Sequence, residues 1–348
     1  MSAHRGRLLL GALLAVVLLG VFFRGTNWPE LGEALRRARP AWLAGLAGVT
    51  VLVYLVRAWR WGYLLAPLGR VSFPHLFSAT MVGFASGLLV PRAGEIVRPW
   101  LVSRRAPIAV SAGFATIILE RLLDLGTVLV LLGLYLFILP GAPAGGGVLN
   151  PLKVAAAVAG VAALAMLAVL LALHAHGDRA GGLLEHVLRR APRWLGGPLA
   201  RALRAFAEGL AVLRAPAWHW LAIVAQSLLL WLLIAVGFHM NHLAFSLALP
   251  FRATFLLITF LTVGVAIPTP GMVGGFHAFY LIALADVLGV DRESARAAGT
   301  VAHALSSLPV LALGLFFLRR EGLSLARVAE VAGEGPVGVS APSQEVLP

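Results

Sequence analysis

Residues 88–105 read LLVPRAGEIVRPWLVSRR, from Leu88 to Arg105. An apolar run reaches this stretch and breaks at Pro91-Arg92-Ala93-Gly94, and Glu95 and Arg98 follow at once. A proline and a glycine there free backbone N–H and C=O groups. At membrane depth such groups are tolerated only inside protein or along a water-filled cavity. Charge at the same depth has the same requirement. The stretch therefore predicts a broken, re-entrant helix whose polar turn meets a cavity. The bland alternative is an interfacial turn whose arginines snorkel to headgroups, and Arg104 and Arg105 fit that reading.

The rest of the chain supplies the membrane. Of 348 residues, 60% are hydrophobic and 12% charged, against about half and about a quarter in soluble domains. The fold class is all-α polytopic membrane protein. With no cysteine, disulfides and thiol chemistry are excluded. Net charge is +13, and every basic residue except Lys153 is arginine. Positive charge of this kind belongs to cytoplasmic loops. Nucleic acid is not expected as a partner, since no polar segment is long enough to carry a soluble binding domain.

Full spans need about 20 apolar residues. Candidates are residues 8–23, 41–66, 111–139, 152–173, 217–240 and 297–318, six in all. The first has a basic flank, like a signal peptide, but no small-residue cleavage site follows it, so it reads as a retained helix. Segments 73–90 and 253–290 are shorter or interrupted, the second by IPTPGMVGGFH, Ile267 to His277. The 140–151 and 241–250 connections are uncharged, whereas 174–216 carries seven arginines and an amphipathic stripe. The positive-inside rule then puts 174–216 on the cytoplasmic side, together with both termini. Segment 73–105 has to leave and return on that side, and 253–290 on the other. Residues 1–325 are expected to form a single membrane domain, and 326–348, rich in Gly, Pro and Ser, a disordered tail.

The two interrupted segments can be laid on each other, Pro91 with Pro268 and Gly94 with Gly271. Further on, GTVLVLLGL (Gly126 to Leu134) resembles SLPVLALGL (Ser307 to Leu315) after a shift of four residues. Opposite entry sides and a shared pattern predict inverted repeats with two broken hairpins that meet at their breaks, at Pro91, Gly94, Pro268, Pro270, Gly271 and Gly274. Candidate cavity residues are Arg92, Glu95 and Arg98 at the first break, Glu120, Arg121 and Asp124 inside the span 111–139, and His277 after the second break. Arg92 and Arg98 would attract a phosphate headgroup; Glu95, Glu120 and Asp124 would organise those arginines or take a proton. The spacing pairs Glu95 with Arg98 on one helix face and allows Arg98–Glu120 or Arg92–Asp124 contacts. A purely structural network fits Glu120, Arg121 and Asp124 equally well. Arg57 and Arg60 read as interfacial anchors beside Trp59 and Trp61, or as a phosphate clamp.

Metal, nucleotide and hydrolase motifs are absent, so no cofactor, no metal and no enzymatic activity are expected. The segments GFASGLLVPRAGEIVRPWLVSRR, ERLLD and IPTPGMVGGFH resemble the membrane region of the lysylphosphatidylglycerol synthase family, over roughly residues 8 to 320. The resemblance implies a flippase-like region in its stand-alone form, without the soluble transferase, moving a membrane phospholipid or lipid-linked substrate in a bacterial or archaeal plasma (inner) membrane. The pattern departs at His277, where relatives often carry an acidic residue. A proton-coupled transporter of a small amphipathic solute is the alternative, and a non-transporting partner of a lipid-modifying enzyme the third reading. A separate lipid-modifying enzyme and a second copy of the chain are the protein partners left open.

Overall fold

The computed structural model describes residues 22–138, 212–213 and 215–338, with isolated positions between 13 and 20 and between 154 and 165. The amphipathic segment expected at 174–216 lies almost entirely outside the described residues, as do most of the spans at 8–23 and 152–173.

The described chain is helical: α1 (Trp28–Arg37), α2 (Pro40–Leu65), α3 (Phe73–Leu89), α4 (Ala93–Ser103), α5 (Val110–Gly133), α6 (Ala217–Ala244), α7 (Ala253–Ala266), α8 (Gly275–Leu281), α9 (Arg292–Arg320) and α10 (Leu325–Gly338). Wider π-type turns extend α5 to Ile138 and α8 to Val287. Among the described residues, four stretches are long and apolar enough to cross a membrane: α2, α6, Pro270–Val287 and α9. Helix α5 is also 24 residues long, but carries Glu120, Arg121 and Asp124 in its middle.

Both predicted hairpins are present. Helices α3 and α4 are joined by Val90–Arg92, where Arg92 is left-handed at φ 64°. Helices α7 and α8 are joined by residues 267–274, where Gly271, Met272 and Gly274 have positive φ. The first hairpin opens at one end of the bundle: His75, near the start of α3, lies 2.9 Å from Arg105, which in turn pairs with Glu321 just after α9. The opposite end of α9 is packed against residues 22–27, through Arg296 to the Phe22 and Arg24 carbonyls and Asn27 N–H to Glu293. The second hairpin opens at that end, with Leu249 and Leu288 in one apolar cluster. Helix α9 has 29 residues, about 43 Å at 1.5 Å per residue, so the two hairpins open on opposite ends.

The repeat register is simpler than the sequence suggested. Gly83 on α3 and Gly94 on α4 pack backbone to backbone; a Cβ on Gly94 would collide with the Gly83 carbonyl. Gly264 and Gly275 repeat this contact between α7 and α8. Each pair is 11 residues apart, and the second lies 181 residues after the first. The same 181 relates GTVLVLLGL to SLPVLALGL. Gly94 therefore corresponds to Gly275 and not to Gly271, and no four-residue shift is needed. The proline and glycine letters of the breaks do not set the register, because the breaks differ in length while the glycine crossings do not. Lipid supplies no hydrophobic drive for helices to associate, so close glycine contacts of this kind fix the geometry.

Helices α2–α5 thus match α6–α9, and the packing of one set recurs in the other: α3 on α9 as α7 on α5, α2 on α5 as α6 on α9. The counterpart helices α2 and α6 touch along their length and run antiparallel. Arg39 N–H donates to the Ala244 carbonyl, Gly45 meets Met240, Arg60 meets Ser227, and His219 meets the Tyr63 carbonyl. Adjacent antiparallel counterparts make the two units inverted. The breaks meet as predicted: Leu88, beside the first, and Met272, in the second, share an apolar cluster with Met81 and Val310.

A second expectation is overturned. Residues 326–338, read as part of a disordered tail, belong to α10, whose Val328 and Val331 are buried beside Trp100 and Leu101 of α4. Two valines three residues apart make an apolar stripe, and the Gly/Pro/Ser content of the following residues concealed it.

Candidate functional site

Four helices converge on one charged cluster. Helix α4 brings Arg98, α5 brings Glu120, Arg121 and Asp124, α2 brings Arg57 and Arg60, and α6 adds Ser227 and Trp231. Arg98 forks onto Glu120 with two 3.0 Å bonds. Arg57 Nη1 bridges Glu120 at 3.3 Å and Asp124 at 3.2 Å. Arg60 donates to Asp124 at 2.7 Å and to Ser227 Oγ at 2.9 Å. Trp231 Nε1 donates to Asp124 at 3.2 Å. Arg121 reaches Glu120 at 3.3 Å and Asp124 at 3.5 Å, and its side chain is 44% exposed.

Aromatic faces line the guanidinium groups. Arg98 stacks 4.3 Å above Trp61 and 5.2 Å from Phe84, and Arg57 lies 5.0 Å from Phe84. Trp61 is oriented by its Nε1–H bond to Thr116. Arg98 can cross to α5 only because residue 83 is glycine, since a Cβ there would collide with its stem. Removing ions from water costs several kcal/mol each, so such a cluster stands only through its many paired contacts.

The cluster is deep. Arg57 precedes the end of α2 by eight residues and Glu120 follows the start of α5 by ten, about 12 and 15 Å from that face. Beside it, a cavity of about 160 Å³ runs between α2, α6 and α9, with Thr50, Tyr54, Arg57, Gly237, Phe238 and Ser306 among its walls. Arg57 and Phe238 are repeat counterparts, and so are Val53 and Ile234, which also line it. The cavity therefore straddles the pseudo-two-fold axis. Its two ends differ, because the counterparts of Arg57, Arg60, Arg98, Glu120, Arg121 and Asp124 are Phe238, Asn241, Phe279, Val301, Ala302 and Leu305. The second repeat carries no charge at these six positions.

The sequence-derived candidates divide. Arg98, Glu120, Arg121 and Asp124 are brought together. Glu95 is not paired with Arg98: Arg98 turns to Glu120, and Glu95 is half-buried with no ion pair among the described residues. Arg92 is exposed and makes no contact with Asp124, whose partners are Arg57, Arg60 and Arg121. Three-residue spacing permits a Glu95–Arg98 contact but cannot outweigh a fork to a buried carboxylate. His277 is buried at the second break, where its Nδ1 accepts from Gly274 N–H and its ring packs 4.7 Å from His303. His303 in turn contacts the Gly271 carbonyl. These two histidines brace the break and do not join the charged cluster. Arg57 and Arg60 are not interfacial anchors; both are buried at the cluster's centre. Their three-residue spacing, which puts them on one face beside Trp61, was the available signal.

The chain matches, over residues 8–314, the family described as Lysylphosphatidylglycerol synthase TM region. It is 32% identical over 146 residues to Glycosyltransferase AglD of Haloferax volcanii, covering 41% of this chain and 23% of that protein. It is 28% identical over 125 residues to a UPF0104 membrane protein of Methanothermobacter thermautotrophicus, covering 35% of this chain and 36% of that one. The matched segments thus span about a quarter and about a third of those relatives' lengths. With its broken hairpins and all-helical architecture in view, this chain belongs to the lysylphosphatidylglycerol synthase TM region family.

Proposed function

We propose that the protein moves a lipid with an anionic headgroup between the leaflets of the plasma membrane and catalyses no covalent reaction. The carrying observation is the one-sided cluster beside a cavity on the pseudo-two-fold axis. A headgroup crossing hydrocarbon needs a polar track, and a phosphate needs cationic partners on it. Arg57 stands where the cluster meets the cavity. Glu120 and Asp124 hold the same guanidinium groups that a phosphate would contact. They keep part of each guanidinium engaged while it passes, which keeps binding reversible where water is scarce. The neutral end at Phe238 offers no competing site, so the headgroup is passed on instead of being held. In this reading the Arg105 end of the bundle is cytoplasmic, as the positive-inside rule suggests.

Reconstitution tests this. Purified protein in liposomes containing trace acyl-labelled phospholipids should make inner-leaflet label accessible to an impermeant quencher, faster than protein-free liposomes do. Accumulation of a soluble solute with no movement of any labelled lipid would replace this reading by the transporter one.

A further inference from the structure

The charge balance of the cluster says more about its occupant. Four guanidinium groups, three buried (Arg57, Arg60 and Arg98) and one on a side chain 44% exposed (Arg121), face two carboxylates (Glu120 and Asp124), an excess of two positive charges. Arg92 and Glu95, at the nearby break, offset each other and make no ion pair with the six. The Nε–H donors of Arg57, Arg60 and Arg98 have no partner among the described residues, although these three side chains are more than nine-tenths buried. Uncompensated charge in such surroundings is costly and is relieved by a bound counter-ion. Both carboxylates are already engaged: Glu120 by Arg98, Arg57 and Arg121, and Asp124 by Arg57, Arg60, Arg121 and Trp231. Neither is free to receive an ammonium group.

We infer that the occupant is a dianionic phosphate head, a lipid phosphomonoester or diphosphate, and not a zwitterionic or aminoacylated headgroup. A phosphodiester supplies one negative charge, a zwitterionic head none in sum, and an aminoacylated glycerol phosphodiester adds ammonium. A monoester supplies nearly two charges and three terminal oxygens, each able to accept from a guanidinium. Arg57 offers the route in, since it belongs to both the cluster and the cavity. This inference rests on the lipid-translocation reading and adds the class of headgroup to it.

The test compares headgroups on the intact protein at pH 8, where a phosphate monoester is doubly ionised. Short-chain phosphatidic acid, phosphatidylglycerol, lysyl-phosphatidylglycerol and phosphatidylcholine are titrated while thermal stability is followed, and acyl-labelled forms of the same lipids are followed in the liposome assay. Phosphatidic acid should bind roughly tenfold more tightly than phosphatidylglycerol and move fastest. Arg57→Gln should narrow that preference, whereas Arg104→Gln should leave it alone. If phosphatidylglycerol or lysyl-phosphatidylglycerol binds or moves as well as phosphatidic acid in the wild-type protein, the inference fails and lipid translocation stands. If no lipid binds or moves, both fail. Inorganic phosphate forms a separate arm: if it stabilises as strongly and enters the liposomes while phosphatidic acid does not move, the occupant is a soluble phosphate and the lipid assignment is overturned.

Discussion

Arg98 and Glu120 form a two-bond fork, each bond 3.0 Å long, that ties the short helix of the first hairpin to α5. Neither residue is more than 2% exposed. Removing one partner of a buried pair costs about 3–5 kcal/mol, because the other charge is left behind. Glu120 also serves Arg57 and Arg121. Glu120→Gln should therefore lower the melting temperature in detergent more than Arg98→Gln, since it raises the excess charge while Arg98→Gln reduces it. The reverse order would show that Arg98 acts mainly through its stacking on Trp61.

Gly83 is required twice, for the contact with Gly94 and for the passage of the Arg98 stem. Gly83→Ala should destabilise by about 2 kcal/mol or more through overpacking and should also disturb the fork. Gly48 meets nothing within 4 Å, so Gly48→Ala should be neutral or gain up to about 1 kcal/mol from helix propensity. Thermal melts of the two variants side by side check the contrast.

The inverted repeat predicts a cross-linking pattern, and the absence of native cysteine makes it readable. Gly45→Cys with Met240→Cys should cross-link efficiently through a short bifunctional reagent, because these residues touch. Gly45→Cys with Trp218→Cys should not, since Trp218 belongs to the far end of α6 near Tyr63. Equal yields for both pairs would sink the antiparallel arrangement.

Helix α10 should matter for stability. Val331 is 1% exposed, so Val331→Asp buries an unpaired carboxylate and should cost several kcal/mol, releasing α10 from α4. Limited proteolysis would then cut after Arg327 in the variant sooner than in the wild type. Unchanged digestion would mean that α10 contributes little.

Much of the architecture is legible in the sequence because the bilayer imposes it locally. Long apolar runs must be helices, since every backbone group has to be satisfied internally, and Pro91 with Gly94, or Pro268 with Gly271, must interrupt them. Glu120 and Asp124, four residues apart in an apolar run, announce a buried polar site in the same way. The partners of these carboxylates are not local. Arg57 and Arg60 arrive from a helix more than 60 residues away, and their shared face beside Trp61 does not say which carboxylates it meets. Arg98 had a carboxylate three residues away in Glu95 and took Glu120 instead, because α4 presents it across the Gly83 notch to α5. Register behaved likewise: letters in the breaks suggested one alignment, whereas backbone contacts at Gly83–Gly94 and Gly264–Gly275 impose another. Helix formation depends on spacing along the chain, which sequence displays. Ion pairing and close backbone contact depend on which helices meet, and only the packed bundle decides that.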